Sequence, residues 1–119
     1  KEPLTPAWLE GDVQWGNVVR WVVYATMQAE EYGITQANIA EMVANPPNPE
    51  IARFVGTEAE GSLGSFIGLS PDFAVKVIEA VGNYGEIYDR HITSIGIERE
   101  GTLNAQWRNG GLIFAPAWR

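Results

Sequence analysis

Between Gly11 and Gly33 the apolar positions crowd into one run, GDVQWGNVVRWVVYATMQAEEYG. Trp15, Val18, Val19, Val22, Thr26 and Ala29 recur at the three-to-four-residue spacing of one helix face. Trp21, Val23, Tyr24 and Met27 fall off that stripe. The pattern therefore predicts a helix over Val13–Tyr32 that is covered on more than one side. Trp15, Val18, Val19 and Val22 are expected among its buried residues. Asp12 is placed to cap the helix, because its carboxylate can accept from the unpaired N–H groups of the first turn. Gly33 is placed to end it. Asn17, Arg20 and Gln28 interrupt the apolar run and Glu30 and Glu31 close it, which argues against a membrane span.

The remaining patterns are shorter. Glu2–Glu10 holds Pro3 and Pro6 and reads as an extended arm or edge strand, with Leu4, Trp8 and Leu9 for apolar contact. Ile39, Met42 and Val43 predict an amphipathic helix within Ile34–Asn45, capped by Thr35 and stopped by Pro46 and Pro47. Asn48-Pro49-Glu50 starts a short helix over Pro49–Val55 that Gly56 ends. Gly56, Gly61, Gly64 and Gly68 predict a loop as far as Leu69. Ser70-Pro71-Asp72 opens a further helix, whose period Phe73, Val77, Ile78, Val81, Tyr84 and Tyr88 hold to His91 or Ile92. Thr93–Glu100 is a connector with room for a short strand. Leu103–Asn109 reads as a last short helix before Gly110, and Leu112–Arg119 as an extended apolar tail. The sum is a mainly α fold: four to five helices around one long central helix, an extended N-terminal arm, and at most one or two short strands. The 119 residues suffice for one domain, 1–119, with a core of its own.

Charge narrows the partners. Fifteen acidic against 8 basic side chains give a formal net charge of −7, which repels phosphate backbones and anionic lipid. No nucleic-acid partner and no membrane insertion are expected. With no cysteine there is no disulfide, thiol nucleophile or Cys-built zinc site, and both periplasm and cytosol stay open on that ground. The chain opens on Lys1 without methionine or a signal-type segment. We expect a processed or tag-cleaved product, or a piece of something longer.

Candidate chemistry is sparse. His91 is the lone histidine, with no second ligand at i+4, so it reads as a packing or solvent-facing residue. The glycine-rich loop carries Glu58 and Glu60 and no following lysine, unlike a phosphate loop. Gly82-Asn83-Tyr84-Gly85 matches the GxxG of RNA-clamping loops only superficially, since Glu86 follows it and the helical pattern runs through it. Glu79 and Glu86 share a helix face if that helix is continuous, but a carboxylate pair must flank a bond across a cleft to do acid–base work. We assign no catalytic residue, no metal ligand and no cofactor, and expect a protein that is not an enzyme. The five tryptophans read as core and interface anchors.

Gly82 and Gly85 each cost about 1 kcal/mol relative to alanine inside a helix, which points to close approach of another element. The run around them, VGNYGEIYDR over Val81–Arg90, resembles a signature of the periplasmic binding proteins of general, broad-specificity L-amino-acid ABC transporters (type II periplasmic binding proteins). Glu2-Pro3-Leu4, Gly11-Asp12, Gln14-Trp15 and Arg20-Trp21 resemble that family's strand-to-helix segment, and Asn48-Pro49-Glu50 with Gly56 falls in the matching place. Gly101-Thr102-Leu103-Asn104-Ala105, Trp107, Gly110-Gly111 and Ala115-Pro116 resemble its C-terminal end. Gly16 and Asn17 stand where the family commonly has larger or acidic residues, and Glu10 where a basic one is usual.

The resemblance implies the C-terminal third or so of a two-lobed α/β protein that holds an amino acid between its lobes. This chain would return to lobe one and finish it with helices. The resemblance further implies a periplasmic location, with the upstream lobes and an ABC permease as partners. The family's main groups for the ligand's carboxylate and ammonium lie upstream of Lys1, so the ligand-binding residues of this chain are left unknown. Gly82, Asn83, Tyr84, Gly85, Glu86, Trp15, Trp21, Gly110 and Gly111 are expected to form a structural motif. Without the upstream sheet the arm with Trp8 and Leu9 should seek a second copy, giving a homodimer. The alternative is a free-standing helical structural or protein-interaction module derived from that family.

Overall fold

The computed structural model describes residues 5–57 and 62–118. The central helix α1 spans Val13–Glu31, and Asp12 caps it by accepting the Trp15 amide at 2.9 Å. At its far end Gly33, with φ +69°, closes a Schellman turn. There the Ile34 amide reaches back to the Ala29 carbonyl at 2.8 Å, and the Gly33 amide to Glu30 at 3.0 Å. The turn drops Ile34 into the core, fully buried.

Around α1 lie α2 (Ile39–Ala44), α3 (Pro49–Val55), α4 (Leu63–Phe66), α5 (Phe73–Val81) and α6 (Tyr84–His91). Single 3₁₀ turns follow at Thr93–Ile95 and Trp107–Asn109. Among the described residues no strand forms, only an isolated parallel bridge between Gln106 and Ile113. The mainly α architecture is as expected, with five helices beside the central one. α3 matches its predicted bounds: the Asn48 side chain accepts the Ile51 amide at 2.9 Å, and Gly56 sits at φ +78° beyond the last turn.

Several expected boundaries move, for identifiable reasons. Residues 34–38 are a turn, because Asn38 Oδ1 accepts the Thr35 amide at 2.7 Å; the helix starts at Ile39, without a side-chain cap from Thr35. The helix expected from Ser70 to His91 starts at Phe73 and breaks in two at Gly82-Asn83. Asp72 lies at its head beside Lys76, 2.9 Å away, and Ser70 and Lys76 hold its carboxyl below the usual carboxylate range. Glu79 and Glu86 therefore sit on different helices and share no face. Leu103–Asn109 is mostly irregular: Thr102 Oγ1 donates to the Arg99 carbonyl at 2.8 Å and accepts from the Asn104 amide at 3.1 Å, turning the chain where a helix was expected. The glycine-rich loop contains α4, while Glu58, Glu60 and Gly61 lie outside the described residues, as do Glu2, Pro3 and Leu4.

The core lies between the C-terminal half of α1, α3 and α5. Phe54, Ile34 and Ile78 are its largest fully buried side chains, and Ala25 and Ala29 bring α1 close to them. Trp118 fills the centre, its ring 5.6 Å from Phe73 and nearly parallel, 4.9 Å from Phe54 and 5.7 Å from Trp21. The expected buried set on α1 needs correction. Trp15 is 55% exposed, and Val18, Val19 and Val22 are half-buried. The bundle closes only over the C-terminal half of α1, where Ala25, Thr26, Gln28 and Ala29 are buried.

Candidate functional site

The polar chemistry of the chain converges on the α5–α6 junction. Gly82 ends α5 at φ +79° and ψ −175°, a conformation nearly restricted to glycine. Asn83 then caps α6: its side chain accepts the Glu86 amide at 2.9 Å while the Glu86 carboxylate accepts the Asn83 amide at 2.8 Å. Both side chains also reach across to the turn after α1. Asn83 Nδ2 donates to the buried Ile34 carbonyl at 2.8 Å, and Glu86 accepts the Gln36 amide at 3.1 Å. Gln36 returns a bond to the Glu79 carbonyl at 2.6 Å. The GNYGE run thus clasps two helix ends together.

A second lock lies one turn away. Glu30 and Glu31 stand at the C-terminus of α1, where the helix dipole disfavours carboxylates. Each is compensated from the C-terminal segment. Arg99 grips Glu30 with both guanidinium nitrogens, the Nη2–Oε2 bond being 3.0 Å, and its Nε donates to the Asn104 carbonyl at 2.7 Å. The Tyr84 and Tyr88 rings sit 5.2 and 5.6 Å from the same guanidinium. Glu31 accepts the Ala115 amide at 2.6 Å, and Arg108 donates to the Glu31 carbonyl at 3.2 Å. Tyr32, next in sequence, has its phenol pKa raised by burial and then by the carboxylates of Glu50 and Glu31.

On the other side of α1 is an open cleft of about 660 Å³. Val19, Val23 and Met27 of α1 form its floor, with Val77 and Val81 of α5 and Ile87 of α6 at the sides. Its described lining holds no carboxylate, in a chain with 15 of them. The Trp8 indole closes one end, 5.6 Å from the Arg20 guanidinium and against Gly16, where a Cβ would collide with it.

No protein-family model matches the chain. It is 52% identical, over its whole length, to the glutamate/glutamine/aspartate/asparagine-binding protein BztA of Rhodobacter capsulatus. It is 50% identical, again throughout, to the general L-amino acid-binding periplasmic protein AapJ of Rhizobium johnstonii. Its fold overlays, with a TM-score of 0.85 and 49% identity, on an ABC transporter periplasmic binding protein from Brucella ovis solved with glutathione bound; 92% of this chain and 34% of that one are covered. Its homologues are the periplasmic binding proteins of amino-acid ABC transporters. The chain spans about a third of their length, 35% of each of the two curated relatives named above. These relatives are solute-binding proteins rather than enzymes.

Within this binding-protein segment the expected motif residues scatter. Asn83 and Glu86 form the clasp and Tyr84 faces Arg99, whereas Trp15 is exposed and Trp21 packs on Trp118. Gly85 lies against Glu30 and Arg99, the close approach expected of it. Gly82 does not touch a neighbouring element: a Cβ there would meet its own capping partner, Glu86 Oε2, at 2.7 Å. Gly110 turns the chain at φ +82°, and Gly111 presses against the Ala105 carbonyl. His91 is exposed beside Arg90, and among the described residues no group of three metal-ligating side chains forms. The Glu30–Arg99 pair escaped sequence reading; two glutamates ending a helix against its dipole were the available signal.

Replacing Gly82 by leucine is expected to cost roughly 1–3 kcal/mol, from strain at positive φ and displacement of Glu86. Alanine should cost nearly as much, because the backbone rather than side-chain size sets the penalty. Thermal melts of both variants check this, and unchanged midpoints would exclude it.

Proposed function

We propose that this chain is the C-terminal lobe segment of a periplasmic solute-binding protein serving amino-acid uptake by an ABC importer. On this reading it lacks the main ligand-binding residues, works with the remaining lobes and a permease, and has no enzymatic activity or cofactor. The observation that carries it is the 50–52% identity running through the whole chain, joined to the shape match. A periplasmic location follows from the same relatives. Among the described residues no helix is long and apolar enough to cross a membrane.

The absence of a ligand site is supported by where the cations are. A zwitterionic ligand needs a cation or helix N-terminus for its carboxylate and a carboxylate for its ammonium, inside a water-excluding cleft. Arg99 and Arg108 serve Glu30 and Glu31, Arg90 donates to the Val81 carbonyl at 2.8 Å, and Arg20 bonds Asn17 at 3.1 Å. Calorimetry with acidic, basic, polar and aliphatic L-amino acids should show binding no tighter than about 1 mM. One saturable, stoichiometric isotherm at micromolar affinity would overturn the reading.

A free-standing interaction module remains the second reading, favoured by a core that the chain's own helices close. Under either reading the open apolar face favours a homodimer of the isolated chain, which light scattering on the same samples checks.

A further inference from the structure

We propose that the cleft between α1, α5 and α6 is the docking surface for the remaining two-thirds of the binding protein, an apolar layer of that same polypeptide. The inference rests on the functional reading above and assigns the contact to particular residues.

Three observations converge on it. Val19, Val22 and Val23 have the apolar pattern of a covered helix face, yet they remain half-buried while Ala25 and Ala29 are sealed. The described cleft lining carries no carboxylate despite the net charge of −7, so its occupant is apolar rather than a cation or a basic peptide. The matched relatives have about two-thirds of their length beyond the part that this chain covers, and the segment keeps its shape within such a longer chain. A second copy of this chain is the competing occupant. It would cover the same valines but explains neither the shape match nor the length.

The test compares one substitution in two settings. Val23→Asp is made in the 119-residue chain and in a chimera of the Rhodobacter capsulatus relative whose matching third is replaced by this chain. The half-buried position should leave the melting temperature of the isolated chain within about 2 °C, since surface changes cost little. In the chimera the carboxylate would be sealed under the other part, and the midpoint should fall by roughly 5–10 °C. Leu103→Asp, at a 61% exposed position outside the cleft, should shift neither. A chimera indifferent to Val23→Asp, or one that does not fold cooperatively, overturns the proposal. So does an isolated chain that is a dimer broken by Val23→Asp while the chimera is untouched. Calorimetry on the chimera separates the two ideas. A chimera that binds an amino acid yet ignores Val23→Asp keeps the functional reading and removes this one. A chimera that is sensitive to Val23→Asp but binds no amino acid does the reverse.

Discussion

Trp118→Ala should lower the stability of the chain by about 3–5 kcal/mol, the range for truncating a large aromatic in a packed core. The indole is 6% exposed and is held by three rings at once: Phe73, Phe54 and Trp21. Those rings stand on three different helices, α5, α3 and α1, so the space left behind cannot close by moving one of them. Such aromatic pairs add about 0.5–1.5 kcal/mol each beyond area burial. With total stability of roughly 5–15 kcal/mol for a domain, the variant loses a large part of its margin. Urea titration should show a lower midpoint with an unchanged slope. Trp118→Phe, which keeps the stack on Phe73, should lose clearly less. A loss below about 1 kcal/mol in Trp118→Ala would mean that the tail does not dock in solution.

Arg99→Ala should cost about 2–4 kcal/mol, somewhat below the range for a fully buried pair because both side chains keep a little exposure. The change strands the Glu30 carboxylate at the C-terminus of α1 and frees the Asn104 carbonyl. It also removes the packing of the guanidinium on Tyr84 and Tyr88. Most of the penalty is the orphaned charge, which gives the prediction its sign in a second variant. Glu30→Leu combined with Arg99→Met should recover at least half of the loss, since an apolar pair of similar volume has no charge to strand. A double-mutant cycle by chemical denaturation measures both terms. If Arg99→Ala costs under 1 kcal/mol, the pair behaves as an ordinary surface contact.

Both variants test contacts that no local pattern announces, while other features were plain in the residue order. α1, its Asp12 cap and its Gly33 terminus were readable because capping uses neighbours in sequence. The same holds for α3 between Asn48 and Gly56. The mainly α class followed from periodicity, and the binding-protein resemblance from the GNYGE run and its flanks. The break at Gly82-Asn83 was written there too, as a cap residue three before a glutamate. The apolar period running through Val81, Tyr84 and Tyr88 masked it, because two helices in sequence can keep one phase across a kink.

What the sequence by itself determined, then, is the set of locally encoded pieces: helix class, most caps, the acidic balance and the kinship. The tertiary structure decided which side of α1 is sealed and which part of its valine surface stays half-open. It also decided that Glu30 meets Arg99, 69 positions away, and that Asn83 meets Ile34, 49 positions away. Burial and long-range pairing depend on where whole helices come to rest, and periodicity states only that a face is apolar, not what will cover it.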